Sequence, residues 1–215
     1  MALVKKFTQG LIASSLILCV PVVGNTAMLR APQLWILVLI GVLASLFQPE
    51  YNPFKRSPNT ADKGTAIQII WSIYLTQLAV LIEATYFRYP ESMSWSTLTT
   101  CALILMVSGL AVRTWAVFTL GRYFTWHITT QEDQAVIKTG PYAFVRHPGY
   151  FGAFLTYAST ALFLKVWFSF VLSLVVLLFA FLRRIHYEEK KLKLDLGSQY
   201  DSYCKSVKRF IPGIW

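Results

Sequence analysis

Six long stretches without Asp, Glu, Lys or Arg constrain this chain more than any other feature of its sequence. A helix needs about 20 predominantly apolar residues to cross a bilayer. We therefore predict an all-α integral membrane protein with about six transmembrane helices. The stretches cover residues 7–29, 31–49, 64–82, 92–112, 147–164 and 166–182. The last two are separated by Lys165 alone, which predicts a tight helical hairpin.

The composition supports a membrane protein over a soluble one. Of the 215 residues, 55% are hydrophobic and only 14% are charged, whereas soluble domains carry about 25% charged residues. A soluble fold of this length could not hide so much apolar surface from water. Lys5 and Lys6 before the first stretch also allow a signal peptide. A retained helix is favoured, because the stretch is long for a signal sequence and another follows at once.

Positive charge is concentrated on one side of the predicted membrane. With the N-terminus inside, sixteen Lys and Arg residues fall in inner segments, and only Arg30, Arg88 and Lys165 fall in outer loops. This bias predicts that both termini are cytoplasmic. The net charge of +10 then belongs to loops that face anionic lipid, so we expect membrane lipid and no nucleic acid as a partner.

The cysteines and histidines do not suggest a metal or a disulfide framework. Cys19, Cys101 and Cys204 are far apart, no Cys-x-x-Cys pair occurs, and the chain has three histidines. We expect no metal site. The sequence also contains no Gly-x-Gly-x-x-Gly, Walker, Gly-x-Ser-x-Gly or His-Glu-x-x-His motif.

A proline- and glycine-rich turn at residues 140–152 is the densest motif. Prolines 141 and 148 fix φ and disfavour helix at the preceding residues, so the turn displays Tyr142, Arg146, His147 and Tyr150. Two interpretations remain open: a ligand-binding turn, or a helix cap whose Arg146 and His147 contact lipid head groups.

Two further segments on the inner side carry polar groups. Arg184 and Glu188 are four residues apart, so they share one face of a helix. The spacing of Tyr200, Tyr203 and Val207 predicts an amphipathic helix that closes over the site and ends at Pro212.

Two ionisable residues fall within or beside the apolar stretches. Buried charge in a membrane is costly and usually functional. Glu83 lies near the outer end of its stretch, where snorkelling to the interface would satisfy it. Arg113 directly follows the stretch 92–112 but lies within the predicted span, about two turns from its inner end, and we predict that it contacts the substrate.

Three motifs follow one another in the second half of the chain. They are Tyr142…Arg146-His147-Pro148…Tyr150-x-Gly152, Arg184…Glu188-Glu189 and Gly197-x-x-Tyr200-x-x-Tyr203. Their ordered combination resembles the isoprenylcysteine carboxyl methyltransferase family, from about residue 108 to residue 215. The resemblance implies a membrane-embedded methyltransferase that uses S-adenosylmethionine without a Rossmann domain. It also suggests three regions: an N-terminal hairpin (1–50), further transmembrane helices (51–107) and a catalytic region (108–215).

The resemblance also implies roles for single residues. Arg184 matches a substrate-binding arginine and Glu188 a cofactor-binding glutamate, so we expect both to act in catalysis. Gln134 stands where members often have His, and His127 where eukaryotic members can have Gln. The residues expected to bind the cofactor are His127, Gln134, Ala135, Val136, Ile137, Tyr142, His147, Pro148, Gly149, Tyr150 and Glu188. Arg146 and His147 could receive the cofactor carboxylate, and Tyr142 or Trp126 could pack on its adenine.

The implied acceptor is the α-carboxylate of an S-prenylated cysteine, free or at the C-terminus of a prenylated protein. This group is ionised at pH 7, so it needs a cation, which Arg184 would supply, and no general base. The prenyl tail would enter from the lipid and lie among the spans. The expected location is the endoplasmic reticulum membrane in a eukaryote, or the inner or plasma membrane in a prokaryote.

Other functions remain open from the sequence. A phospholipid amine or a small thiol could be the acceptor on the same fold, and an amine would need a base such as His186 or Glu189. A scaffold or small transporter would not bind S-adenosylmethionine. A sterol reductase would require a nicotinamide cofactor, and the shortness of the chain argues against it.

Overall fold

The computed structural model describes residues 2–48, 62–131 and 133–215, and in these parts it contains helices, turns and no strand. The predicted inner-side charges Lys55 and Arg56, and the predicted regional boundary at residues 50–51, lie outside the described residues. The helices are α1 (Ala2–Cys19), α2 (Pro32–Phe47), α3 (Thr65–Ile82), α4 (Thr97–Leu120), α5 (Pro148–Phe163), α6 (Trp167–Leu196) and α7 (Ser198–Ser206).

Each predicted apolar stretch coincides with one of the helices α1–α6. Among the described residues, four helical segments are long and apolar enough to cross a membrane: Leu3–Val22, Thr65–Phe87, Thr97–Tyr123 and Trp167–Leu196. Helix α2 is apolar but shorter, and α5 has 16 residues. The all-helical membrane fold is therefore confirmed, while six spans with both termini inside stay a prediction.

Three helices begin or end at other residues than the uncharged stretches do. Helix α1 ends at Cys19 instead of near residue 29, and Pro21 lies in the 3-10 turn that follows it. Helix α4 begins at Thr97, where the Ser96 side chain caps it, and runs past residue 112 to Leu120. Helix α6 continues fourteen residues beyond residue 182, because its charged extension packs its buried side chains against the rest of the protein.

Glu83 has a different role from the predicted snorkelling. Its carboxylate accepts hydrogen bonds from the backbone N–H groups of Phe168 (3.4 Å) and Ser169 (2.7 Å). These are among the first N–H groups of α6, which have no partner within the helix. Glu83 therefore caps α6 and complements the positive end of its dipole.

Helices α4 and α5 cross at a pair of glycines. A Cβ on Gly152 would stand 2.5 Å from the carbonyl oxygen of Gly109 and 2.6 Å from the backbone nitrogen of Arg113. A Cβ on Gly109 would likewise meet the carbonyl oxygen of Gly152 at 2.6 Å. This close approach, which only glycine permits, brings Arg113 beside the start of α5.

The amphipathic helix α7 forms as predicted, but it ends at Ser206 and not at Pro212. Tyr200 and Tyr203 are its buried residues, and the Tyr203 hydroxyl donates to the carbonyl of Tyr142 at 2.6 Å. The chain after α7 then runs along the 140–152 turn, with a bridge between Val145 and Lys208. The C-terminal segment is thus fixed directly to the motif-bearing turn.

An apolar cluster fills the bundle at its predicted outer end. Its fully buried members include Val22, Met28, Leu81, Phe163 and Leu164. Burial of such side chains is the main favourable contribution to a packed core. Large internal space is found instead toward the predicted cytoplasmic side.

Candidate active site

One cavity of about 690 Å³ extends from the predicted cytoplasmic ends of the helices into the bundle. Its deeper part is apolar and its other end is polar. The apolar lining includes Ile17, Leu18, Leu37, Ile40, Ile69, Ile73 and Met106. The polar lining includes Arg113, His127, Gln134, Tyr142, His147, Tyr150, Arg184 and Glu188. The cavity can therefore take a molecule that is polar at one end and apolar at the other.

The 140–152 turn forms one wall of the polar end. Pro141 begins a 3-10 turn and Pro148 is the first residue of α5, the position that tolerates a missing N–H. Gly140 has a φ of +57°, which glycine adopts without strain. Tyr142 is buried and its hydroxyl donates to the carbonyl of Ala116 at 3.4 Å. Burial, assisted by Glu188, raises the pKa of Tyr142 well above its usual value of 10, so it stays a neutral donor.

Glu189 holds this turn together. This role differs from that of the general base that an amine acceptor would need. Its Oε1 accepts from Arg146 Nη2 at 2.8 Å and Nε at 2.9 Å and lies 3.2 Å from His147 Nε2. Its Oε2 is 2.9 Å from Arg209 Nη2. Arg146 also donates to the carbonyls of Cys204 and Val207. Arg146 also lines the cavity. These bonds engage its guanidinium, and its contact with a cofactor carboxylate stays a prediction.

Arg184 is buried in the cavity wall, and all three of its nitrogens are bound. Its Nε donates to the Tyr150 hydroxyl (3.0 Å), which in turn donates to Glu188 Oε2 (2.6 Å). Its Nη1 donates to the Asp62 carboxylate and to Thr65 Oγ1 (3.0 Å), and its Nη2 to the carbonyl of Trp126 (2.9 Å). The guanidinium thus has two carboxylate neighbours and few free donors.

Asp62 is a site residue that the sequence analysis missed. Its backbone carbonyl and carboxylate accept from Thr65 Oγ1, and its carboxylate also accepts from the N–H of Ala66 (3.4 Å). The same carboxylate is 4.0 Å from His127 Nδ1. An acidic residue just before an apolar helix is the signal that could have marked it.

Arg113 lies on α4 across the cavity and has neutral hydrogen-bond partners. Its Nε donates to Gln48 Oε1 (2.9 Å) and its Nη1 to the carbonyl of Gly149 (3.1 Å). Its guanidinium also lies 5.8 Å from the Trp126 ring centroid. Among the described residues, no carboxylate pairs with it. Gln48, the residue after α2, was not identified from the sequence either.

The cavity brings most of the predicted site residues together. His127, Gln134, Ala135, Val136, Ile137, Tyr142, His147, Gly149, Tyr150, Glu188, Arg184 and Arg113 all line it. Pro148 does not line it and serves instead to begin α5. His186, considered as a base, is exposed and lies outside the cavity lining.

Sequence comparisons agree with the resemblance seen in the motifs. The model of the isoprenylcysteine carboxyl methyltransferase family matches residues 102–194. A probable protein-S-isoprenylcysteine O-methyltransferase from Oryza sativa subsp. indica is 34% identical over 149 residues, which cover 68% of this chain and 77% of the relative. The Saccharomyces cerevisiae protein-S-isoprenylcysteine O-methyltransferase is 30% identical over 175 residues, covering 77% and 72%.

The fold is also similar to a solved structure. The eukaryotic intramembrane Ras methyltransferase ICMT aligns with a TM-score of 0.61 and 22% sequence identity. The alignment covers 85% of this chain and 66% of that protein, so this chain spans slightly less than two thirds of its length. At this identity the likeness concerns the fold.

Proposed function

Because the chain belongs to the isoprenylcysteine carboxyl methyltransferase family, we propose that it transfers a methyl group from S-adenosylmethionine to the α-carboxylate of an S-prenylated cysteine. The observation that carries the proposal is one continuous cavity of about 690 Å³, whose polar end continues into an apolar channel. The polar end suits the donor, the channel suits a prenyl tail, and the acceptor carboxylate lies between them.

The residues at the polar end fit the donor by their chemistry. Glu188 lines the cavity and uses Oε2 to bind Tyr150, while no described residue donates to its Oε1. That oxygen can accept from an ammonium or a ribose hydroxyl. Val136, Ile137 and Leu192 add apolar lining for an adenine. When bound, the donor supplies a methyl group on a cationic sulfonium.

Charge around Arg184 also suits a cationic donor. Asp62 and Glu188 both lie beside this guanidinium, so the group of three carries a net negative charge when both carboxylates are ionised. A net negative group attracts a sulfonium or an ammonium. Arg184 then orients Tyr150 and Glu188 toward the donor, and both of its carboxylate neighbours would have to rearrange before it could bind a further carboxylate.

Arg113 is the better cation for the acceptor carboxylate. Its two protein hydrogen bonds go to neutral acceptors, and no described residue accepts from its Nη2. A buried cation without an acidic partner favours an anionic ligand, and a guanidinium can bind a carboxylate through two N–H groups. Gln48 and Gly149 hold the Arg113 guanidinium in place. Its main contribution to catalysis is therefore to align the attacking carboxylate oxygen with the methyl group.

The positions of the two candidate bases, His186 and Glu189, favour a carboxylate over an amine acceptor. A carboxylate is already ionised, whereas an amine must lose a proton. Of the two candidate bases, His186 lies outside the cavity lining, and Glu189 already binds Arg146, His147 and Arg209. A carboxylate oxygen can attack the methyl carbon, with the carbon–sulfur bond breaking, without any proton transfer by the protein.

The channel between the helices is suited to an apolar tail. Its walls come from α1, α2, α3 and α4, with small residues such as Gly10, Ala13 and Gly41 among the larger apolar ones. Helix rise is about 1.5 Å per residue, so the lining from residue 66 to residue 77 of α3 spans roughly 16 Å. A tail of several isoprene units can lie along a wall of this length.

The test offers methyl-labelled S-adenosylmethionine and three acceptors, namely farnesylated cysteine, an aminophospholipid and a small thiol, to the purified chain in detergent. Base treatment releases volatile methanol from a carboxyl methyl ester but not from N-methyl or S-methyl products. We expect base-labile label on farnesylated cysteine alone.

Variants make this test specific for the site. Glu188→Gln should lower transfer at least tenfold, whereas Arg183→Gln should leave it within about twofold, because Arg183 lies outside the cavity lining. Base-stable label on the amine or thiol would overturn the assignment of the acceptor. Transfer that is unaffected by Glu188→Gln would overturn the assignment of the donor site.

A further inference from the structure

A second cavity, of about 260 Å³, lies between α7 and the C-terminal segment. It is lined by Arg146, Cys204, Lys205, Ser206, Val207, Lys208, Arg209 and Trp215. Four of these eight residues are basic and none is acidic. The proposed methyl transfer does not use this cavity.

Its cations are not all neutralised by the protein. Arg146 is fully engaged with Glu189 and two carbonyls. Lys205 and Lys208 are exposed and form no ion pair with a described residue. Arg209 shares Glu189 with Arg146, and its Nε is buried without a hydrogen-bond partner among the described residues. An anion in the cavity would supply the missing acceptor.

Exposed apolar side chains include Trp215, which lines the cavity, and residues close to its lining in the chain. Ile214 is 74% exposed, Trp215 is 43% exposed, and Phe144, next to the Val145–Lys208 bridge, is 65% exposed. Aromatic residues beside basic ones are typical of the membrane–water interface. The cavity also lies on the predicted cytoplasmic side, whose leaflet carries anionic lipids.

We propose that this cavity binds the phosphate-containing head group of an anionic phospholipid from the cytoplasmic leaflet. Lys205, Lys208 and Arg209 bind the head group, while Phe144, Ile214 and Trp215 contact the acyl region. A soluble phosphate anion shares the charge but lacks the acyl chains that these exposed apolar residues would contact.

The cavity is joined to the turn of the first site by direct bonds. The N–H of Arg146 donates to the carbonyl of Lys208 (2.8 Å), and the N–H of His147 donates to the carbonyl of Arg209 (3.1 Å). Arg209 also shares Glu189 with His147. A bound lipid therefore holds the C-terminal segment against the 140–152 turn and raises donor affinity. This consequence, unlike lipid binding itself, rests on the proposed function.

The test uses the full chain in nanodiscs of phosphatidylcholine with a minor fraction of a photoactivatable phosphatidylserine, and cross-links are mapped by peptide mass spectrometry. Cross-links should concentrate in residues 204–215. The double variant Lys205→Gln/Lys208→Gln should reduce them about tenfold or more, since each lysine near an anionic surface contributes appreciably. The control Lys138→Gln/Lys190→Gln removes the same charge from exposed positions outside the cavity and should leave them unchanged.

Three results would overturn the lipid site. They are cross-links spread evenly over the basic loops, an equal loss in both double variants, and displacement of the probe by inorganic phosphate. Donor affinity, measured in the same nanodiscs, should be lower without anionic lipid. Cross-linking at residues 204–215 without any binding of S-adenosylmethionine would leave the lipid site standing and contradict the proposed function.

Discussion

The two halves of the chain contribute to the cavity in different ways. The region from α4 onward, which contains the family match at residues 102–194, supplies a dense polar network centred on Glu189 and Arg184. Helices α1–α3 supply mostly apolar walls. Polar residues such as Gln9 and Gln77 interrupt these walls. Gln48, after α2, and Asp62, before α3, each bind one buried arginine of the other half.

Under the proposed function, the two halves therefore have different tasks. The motif-bearing half holds the groups that fit the donor, and the N-terminal half shapes the channel and orients the arginines. A donor site must match one fixed molecule, whereas an apolar channel can be built from many side chains of similar volume. Substitutions in the motif-bearing half should therefore change donor affinity, whereas substitutions in the N-terminal half should change transfer to the acceptor.

The largest loss of stability is expected at the α4–α5 crossing, which supports both the donor site and the channel. In Gly152→Ala the new Cβ meets backbone atoms of Gly109 and Arg113 at 2.5–2.6 Å. Because backbone cannot yield as a flexible side chain does, we expect a loss of about 3 kcal/mol in unfolding free energy. Thermal unfolding in detergent measures this. Gly149→Ala on the same helix is the control, since its Cβ meets only Ala116 at 3.7 Å. Equal unfolding temperatures would contradict the close crossing.

The next largest effect should appear on the donor side alone. Glu189→Gln leaves Arg146, His147 and Arg209 around a neutral amide, whose hydrogen bonds to them are roughly half as strong as those of the carboxylate. We expect the 140–152 turn to loosen and donor affinity to fall at least tenfold. Calorimetric binding of S-adenosylmethionine and hydrogen exchange at residues 144–147 measure this. Asp201→Asn, at an exposed carboxylate of α7, is the control. If the amide hydrogens of the turn stay as protected from exchange in Glu189→Gln as in the unmodified chain, Glu189 does not stabilise the turn.

A smaller effect should appear on the acceptor side alone. Gln48→Ala removes the hydrogen bond to Arg113 Nε, and a bond to a charged group contributes about 1.5–3 kcal/mol. We expect kcat/KM for farnesylated cysteine to fall about tenfold, with donor affinity unchanged. Gln199→Ala, at an exposed position of α7, should change neither value. A parallel loss of donor affinity would show that the two halves do not divide the work in this way.

The smallest effect is expected at the predicted outer end, far from both tasks. Glu83→Gln removes the charge that caps α6, a contribution of about 1 kcal/mol. The unfolding temperature should fall by roughly 2–4 °C while methyl transfer stays constant. Glu91→Gln, at an exposed position of the same loop region, should change neither. A drop in transfer would indicate that the outer end is coupled to the site.

Local patterns were enough to predict much of this arrangement. The apolar stretches predicted the helices, because a membrane-crossing segment must satisfy its backbone internally. The 140–152 turn and the Arg184–Glu188 pair were predicted from spacing, and the structure brings both to one cavity. The helical spacing of Arg184 and Glu188 is confirmed by α6, but the end of this helix at Leu196 was not predicted from the sequence.

Long-range contacts account for what the sequence could not reveal. Asp62 binds an arginine 122 positions later, and Gln48 binds one 65 positions later. Nothing near either residue specifies such a partner. The ion pair between Arg146 and Glu189 likewise depends on how α6 packs against the 140–152 turn. The partners of a buried charge are therefore a property of the packed bundle and not of any motif.

The most direct test of the account compares Arg113→Gln with Glu188→Gln in two assays on the same preparations: S-adenosylmethionine binding and transfer to farnesylated cysteine. We predict that Arg113→Gln retains donor affinity within about twofold and loses transfer about a hundredfold, as expected when a cation that holds a buried carboxylate is removed. Glu188→Gln should lose donor affinity. Two results would contradict the placement of the donor near Arg184 and of the acceptor carboxylate at Arg113. One is methyl transfer that survives Arg113→Gln; the other is a loss of donor affinity in that variant equal to the loss in Glu188→Gln.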